Sequence, residues 1–117
     1  MKIVFLIIAH VGNGGQEYSY EFKNLDEVIH FFNPKNIEDI LLDFYNEGNV
    51  AEFEVYFSIH RINLPYNENF RNAYSYLEGE DGLNSYGNSL IEERYYYFSP
   101  SEGGIIKSGI SDDNIYL

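Results

Sequence analysis

Residues 51–62 read AEFEVYFSIHRI, and apolar and polar side chains alternate along the stretch. In an extended chain Phe53 and Val55 point to one side, whereas Glu54 and Tyr56 point to the other. This period of two is typical of a strand with one buried face and one open face. The stretch is therefore the clearest predicted strand in the chain.

The chain before this strand divides into two strands and two helices. Residues 2–11 are a mostly apolar run that predicts a strand buried on both faces, and residues 17–22 alternate. The glycine-rich segment between them predicts a hairpin turn. Residues 25–32 and 36–48 carry apolar side chains at i, i+3, i+4 and i+7, which predicts two short amphipathic helices.

The chain after this strand is predicted to be mostly extended. Residues 73–78 are predicted as a strand, with a helical turn as the alternative, and residues 90–98 and 105–110 as two further strands. The last residues, 111–117, are a tail or an edge strand. The order is then ββααββββ in a single domain over 1–117. This order predicts an α+β fold in which two short helices pack on one face of an antiparallel sheet of five or six strands.

Charge and aromatic content set this chain apart. Nineteen Asp and Glu oppose seven Lys and Arg, for a net charge of −12, and the chain has twelve Tyr and nine Phe. Disordered acidic segments are poor in aromatic residues, so this composition predicts a folded protein with an acidic surface. Such a surface favours a basic protein partner and opposes nucleic acid or an anionic membrane. Solubility alone is the simpler interpretation of the same charge.

The sequence lacks the motifs of the common active sites. It has no Cys, no phosphate-binding glycine loop and no H-x-x-x-H or H-E-x-x-H spacing. We therefore expect no catalytic residues, no metal and no cofactor, and a protein that is not an enzyme. The absence of Cys fits a reducing, cytoplasmic location. The apolar run near residue 1 is shorter than the roughly 20 residues that span a bilayer, so no membrane segment is expected.

Paired tyrosines next to carboxylates mark the candidate partner-binding surface. Two pairs, each predicted on one face of a strand, would form one exposed aromatic strip if their strands are close together, and tyrosine is enriched at protein interfaces. Core packing with the hydroxyl at the surface is the alternative for any single tyrosine. The predicted contact residues are Tyr74, Tyr76, Glu78, Glu80, Asp81, Glu92, Glu93, Tyr95 and Tyr97, followed by Glu52 and Glu54 or the acidic face of the second helix.

The small size, the charge, the lack of Cys and acidic strands such as residues 51–56 give this chain a character that resembles the small acidic immunity proteins of bacteria. The resemblance implies a stoichiometric inhibitor that binds a basic toxin, in many cases a nuclease, and blocks its active site. Two alternatives stay open. One is a nucleic-acid mimic that inhibits a defence enzyme, with carboxylates in long rows, and the other is a structural or oligomeric module.

Overall fold

An antiparallel sheet of five strands forms the centre of the protein. The computed structural model describes residues 1–12, 16–48, 53–77 and 89–111. The strand order across the sheet is β2-β1-β3-β4-β5. The strands are β1 (Lys2–Val11), β2 (Gln16–Phe22), β3 (Phe53–Leu64), β4 (Ser89–Ser99) and β5 (Gly104–Ser111), and the helices are α1 (Leu25–Phe31), α2 (Pro34–Gly48) and α3 (Ala73–Leu77).

The central strands β1 and β3 carry most of the core. Their antiparallel register places Ile7 opposite Ile59, and Val11 opposite Val55. Leu6 and Ile7 point to opposite faces and both are fully buried, so β1 is covered on both sides as its apolar run predicts. The predicted α+β class and antiparallel sheet are confirmed, with five strands in the described part of the chain.

Helices α1 and α2 cover one side of the sheet, which we call the first face. The Asn24 side chain accepts a hydrogen bond from the backbone N–H of Glu27 at 3.0 Å and caps α1. Phe31 packs edge-on against Phe57 of β3, with ring centroids 5.8 Å apart. Helix α2 begins at Pro34 rather than at residue 36, because proline suits the first turn of a helix, where no backbone N–H partner is needed.

The opposite side, the second face, carries the third helix, and here the strand prediction for residues 73–78 is wrong. Residues 73–77 form α3, so the order of elements is ββααβαββ. Ala73 and Leu77, four residues apart on the helix, are buried against Leu6 and Ile62. The helix forms because both faces of β1 and β3 are apolar near these residues, and the second face there needs a cover of its own.

A bulge in β4 changes which residues face which side. Ile59 lies opposite Glu92 but His60 lies opposite Leu90, so Ile91 is an extra residue between them. Ile91 packs against the core of the first face, and Leu90 faces α3 on the second. Regular alternation along β4 would place Leu90 on the same side as Glu92, and Ile91 on the same side as Glu93. No helix in the described ranges has both the length and the apolar character needed to cross a membrane.

Candidate functional site

The site lies on the part of the second face that α3 leaves open within the described residues. Four side chains of β3 and β4 define what we call the tyrosine face: Glu54, Tyr56, Tyr95 and Tyr97. Antiparallel pairing brings Tyr56 opposite Tyr95, and Glu54 opposite Tyr97. Tyr56 is 43% exposed.

Ring contacts and one hydrogen bond hold the tyrosine face in shape. The rings of Tyr56 and Tyr95 lie 5.1 Å apart between centroids and are tilted by 46°. The Tyr95 hydroxyl donates to Glu54 Oε1 at 3.2 Å. Loss of hydration and this bond both raise the pKa of Tyr95 above its ordinary value. The hydroxyl therefore stays protonated at neutral pH, and aromatic rings and a carboxylate are presented together.

Neighbouring strands extend this surface on both sides. Within the same cross-strand rows, His10 of β1 lies opposite Tyr56, and Lys107 of β5 lies opposite Tyr97. Glu17 of β2 lies opposite His10 in turn. The surface is therefore mixed, with carboxylates at one margin and an exposed lysine at the other.

A cleft of about 280 Å³ opens between α3 and the sheet, next to the tyrosine face; we call it the α3 cleft. Side chains from β1, β2, β3, β4 and α3 all contribute to it, so its shape depends on the whole second face. Its lining residues are Ile8, His10, Glu17, Ser58, His60, Tyr74, Leu77, Leu90 and Glu93.

Glu17 is the hydrogen-bonded centre of the cleft's rim. The Tyr74 hydroxyl donates to Glu17 Oε1 at 2.7 Å, and His10 Nδ1 lies 3.4 Å from Glu17 Oε2. These contacts join α3 to the first hairpin across the second face. The carboxylate is thereby fixed in orientation while its side chain stays 43% exposed.

His60 forms part of the cleft's floor and is half-buried. Its Nε2 lies 3.1 Å from Ser58 Oγ, and the Ser58 hydroxyl donates to the carbonyl oxygen of Ile8 at 3.4 Å. The donor in the contact between Ser58 and His60 is set by the tautomer of the His60 ring. Burial, with a smaller effect of the charge on His10, lowers the pKa of His60 to about 4. The ring is therefore neutral at physiological pH.

The structure brings together only part of the predicted contact set. Tyr95, Tyr97 and Glu93 lie on the second face together with Glu54, and Tyr74 lies at the α3 cleft. The remaining predicted contacts are separated from these or lie outside the described residues.

The predicted strip of four tyrosines from two strands is wrong, because Tyr74 and Tyr76 lie on a helix. Residues two apart on a helix point in different directions. Tyr76 donates to Glu68 Oε2 at 2.9 Å, away from the tyrosine face. Glu92 lies on the first face and pairs with Arg94. The four other predicted contacts lie outside the described residues: Glu52, Glu78, Glu80 and Asp81.

The site includes residues that were not among the predicted contacts, of which Tyr56, His10 and Glu17 are the polar ones at its surface. Tyr56 shares the outward side of its strand with Glu54, so the alternation of residues 51–62 contains the signal for it. His10 and Glu17 become neighbours through the register of the first hairpin. A hairpin centred on the glycine-rich segment would have paired them.

A second acidic surface lies on α2, on the other side of the sheet. Asp39, Asp43 and Glu47 follow one another at four-residue spacing on its exposed side. The Tyr18 hydroxyl donates to Glu47 Oε2 at 2.8 Å. The sheet separates this row from the tyrosine face, so one compact partner domain would engage one surface or the other.

Within residues 1–12, 16–48, 53–77 and 89–111, no group of three or more acidic or histidine side chains is arranged to hold a metal ion. Comparison of the chain with protein-family models, with curated proteins and with solved structures found no match.

Proposed function

We propose that this protein is an immunity protein, a stoichiometric inhibitor that binds a basic toxin domain, foremost a nuclease, and blocks its active site. The observation that carries the proposal is the tyrosine face, where the exposed ring of Tyr56 and its partner Tyr95 lie beside the carboxylate of Glu54. Solubility needs carboxylates but is not served by exposed rings. Recognition of a basic protein uses both.

Carboxylates and tyrosines would have separate tasks in the complex. A net charge of −12 attracts a cationic active site over a long distance and so raises the association rate. Buried ion pairs can break even against the cost of removing water, so charge alone gives limited affinity. Tyrosine provides large rigid contact area with a hydroxyl donor, which suits the slow-dissociating centre of an interface.

The dimensions of the open surface suggest how far the contact extends. Strands β1, β3, β4 and β5 at about 4.8 Å spacing make a surface roughly 15–20 Å wide. A standard interface covers about 800 Å² on each partner, which is more than the tyrosine face alone supplies. We therefore expect the partner to cover the tyrosine face and the α3 cleft together.

A nucleic-acid mimic is the second candidate, and one observation favours it. The row of Asp39, Asp43 and Glu47 on α2 repeats like charges at helical spacing, about 6 Å between neighbours. Like charges at this spacing destabilise a helix slightly, so the row is not explained by helix stability. This candidate uses the α2 surface, whereas the immunity function uses the tyrosine face.

The test begins with toxicity. Each basic domain encoded next to this gene in its source genome is expressed in a host cell, alone and together with this chain. We expect one such domain to stop growth, and this chain to restore growth and to form a stoichiometric complex with that domain. If no neighbouring domain is toxic, or if no toxic one is neutralised, the proposal is wrong.

Variants then locate the contact surface. Tyr56→Ala or Tyr95→Ala is expected to weaken the complex by about 2 kcal/mol, roughly thirtyfold, if these rings are at the interface centre. The control pair Asp39→Asn and Asp43→Asn removes charge from the opposite surface and is expected to change affinity less than threefold. Reversed sensitivity would favour the nucleic-acid mimic.

A further inference from the structure

The α3 cleft has the size of a pocket for one side chain. Its volume of about 280 Å³ is just below the range for small-molecule sites, which is about 300–1,000 Å³. It opens beside the tyrosine face, since His10 on its rim lies opposite Tyr56 in the sheet. A partner that covers the tyrosine face would therefore bring its own side chains to the mouth of this cleft.

The inner walls of the cleft suit an aliphatic stem. Ile8, Leu77 and Leu90 come from β1, α3 and β4 and give it three apolar sides. Long basic side chains bury their methylene groups along such surfaces and keep the charged end near water. An aliphatic side chain of the partner would also fit between these walls, so the polar groups of the rim determine which type of side chain the cleft prefers.

The rim offers acceptors in a fixed position. Glu17 already accepts from Tyr74 and lies next to His10, which holds the carboxylate in place, and each carboxylate oxygen has capacity for a further hydrogen bond. Glu93 contributes a second carboxylate to the lining. A planar guanidinium with several N–H donors matches such a rim better than a compact ammonium ion, which is also more strongly hydrated.

No fixed positive charge lines the cleft among the described residues, because neither Lys nor Arg belongs to its lining. His60 on the floor is neutral at physiological pH, since burial lowers its pKa to about 4. An incoming cation would therefore meet two carboxylates, a tyrosine hydroxyl and the neutral imidazole of His60, with the imidazole of His10 beside Glu17 on the rim. An anion such as phosphate would meet repulsion from Glu17 and Glu93.

From this geometry we infer that the α3 cleft receives one arginine side chain of the partner, with the methylene stem between Leu77 and Leu90 and the guanidinium at Glu17. The inference rests on the proposed function and adds the residue type that the partner inserts. An arginine of a nuclease that contacts phosphate is the kind of group this cleft would capture, because the same fork of donors binds phosphate and carboxylate.

The test uses small probes and needs no partner. N-acetyl-arginine amide is titrated into the ¹⁵N-labelled protein and followed by NMR, with N-acetyl-citrulline amide as the uncharged probe of nearly equal shape. We expect saturable shifts at the backbone amides of Ile8, Ser58 and Leu77 with the arginine probe and none with the citrulline probe. N-acetyl-lysine amide is expected to bind at least threefold more weakly than the arginine probe.

Two variants and a matched control assign the effect to the rim. Glu17→Gln is expected to weaken binding of the arginine probe tenfold or more, because a charge-assisted hydrogen bond is lost. Tyr74→Phe keeps the ring but removes the hydroxyl that orients Glu17, and a loss of about threefold is expected. Glu38→Gln on exposed α2 makes the same change in net charge and is expected to leave the affinity unchanged.

Four results would each overturn the inference. The arginine probe could cause no shifts, or the citrulline probe could cause equal shifts. The shifts could also map to α2, or they could persist in both rim variants. The proposed function is tested separately by the growth rescue and by the Tyr56 and Tyr95 variants. A protein that neutralises its toxin through the tyrosine face but ignores the arginine probe would refute the inference and leave the function standing. Specific binding of the probe by a protein that neutralises no toxin would refute the function alone.

Discussion

Replacing His60 by glutamine is expected to remove a large part of the acid sensitivity of this protein. His60 lies on the floor of the α3 cleft, and burial with the nearby His10 lowers its pKa from its ordinary value of 6.5 to about 4. Between these two values the unfolded chain binds a proton at residue 60 that the folded chain does not bind. Stability therefore falls as the pH falls below about 6.5 and levels off below about 4.

The size of the effect follows from the two pKa values. The full difference corresponds to about 3 kcal/mol at roughly 1.4 kcal/mol per pKa unit. Only part of it is lost in an accessible pH range, because the proton binds progressively. From the linkage relation we expect His60 to cost the wild-type protein about 2 kcal/mol of unfolding free energy between pH 7.5 and pH 5.

Urea unfolding at a series of pH values measures this quantity, with tyrosine fluorescence as the signal because the chain has no Trp. The useful number is the difference between wild type and His60→Gln at each pH, since the carboxylates common to both proteins cancel. His30→Gln, at an exposed position of α1, is the matched control. If wild type and His60→Gln lose stability in parallel from pH 7.5 to pH 5, burial does not lower the pKa of His60 as described above.

Three substitutions test the packing on the first face by the same unfolding assay. Asn24→Ala removes the cap of α1 and is expected to cost about 1 kcal/mol; no change would mean that this hydrogen bond is not formed in solution. Leu41→Ala empties a fully buried position and is expected to cost about 2–5 kcal/mol, against less than about 0.5 kcal/mol for the exposed neighbour in Leu42→Ala. Arg94→Lys replaces a guanidinium whose central carbon lies 4.3 Å from the centroid of the Phe32 ring, and is expected to cost about 1 kcal/mol; equal stability would show that the stacking contributes nothing.

The spacing of apolar side chains predicted those strands and helices whose formation depends mainly on that spacing. The strand β3 and the helices α1 and α2 follow from side-chain spacing, because each has one apolar side that repeats with the period of its backbone. The capping role of Asn24 can also be predicted from the sequence, because the first backbone N–H groups of every helix lack a partner within the helix and an Asn side chain can accept from one of them.

Helix α3 depends on residues far away in the chain, and so local spacing could not identify it. The segment from Ala73 to Leu77 is compatible with a strand or with one helical turn, and its sequence does not decide between them. The deciding contacts are with Leu6 and Ile62. These two side chains form an apolar surface on the second face of the sheet, and a helix packed on that face covers it, whereas a strand added at the sheet edge would not. The bulge at Ile91 is of the same kind, because a register shift is a property of two paired strands.

The sequence predicted the types of residue in the candidate site, tyrosines beside carboxylates, but not which residues lie together. Tyr95 and Tyr97 do lie on one face beside a carboxylate, but the third tyrosine of that face is Tyr56 of β3 rather than a residue of 73–78. Tyr74 lies at the site because α3, rather than a strand, places its hydroxyl where it donates a hydrogen bond to Glu17. Which carboxylate meets which tyrosine is fixed by strand register, and a single sequence gives register only near a tight turn.

The acidic surface of α2 and the tyrosine face differ in the side chains that surround their carboxylates, and this difference bears on the role of the negative charge. On α2 the exposed carboxylates are set among polar side chains and one exposed leucine, Leu42, which is the pattern that solubility alone would produce. On the second face, Glu54 accepts a hydrogen bond from Tyr95, as Glu47 of α2 does from Tyr18, but here the ring of Tyr56 stays exposed beside the carboxylate. Tyrosine is enriched at protein interfaces, so the exposed ring of Tyr56 beside this carboxylate is the feature that the proposed partner would use. If the charge served solubility alone, neutralising Glu54 and neutralising Asp39 would be equivalent changes; if the tyrosine face binds a basic domain, only the first would alter the salt dependence of that binding.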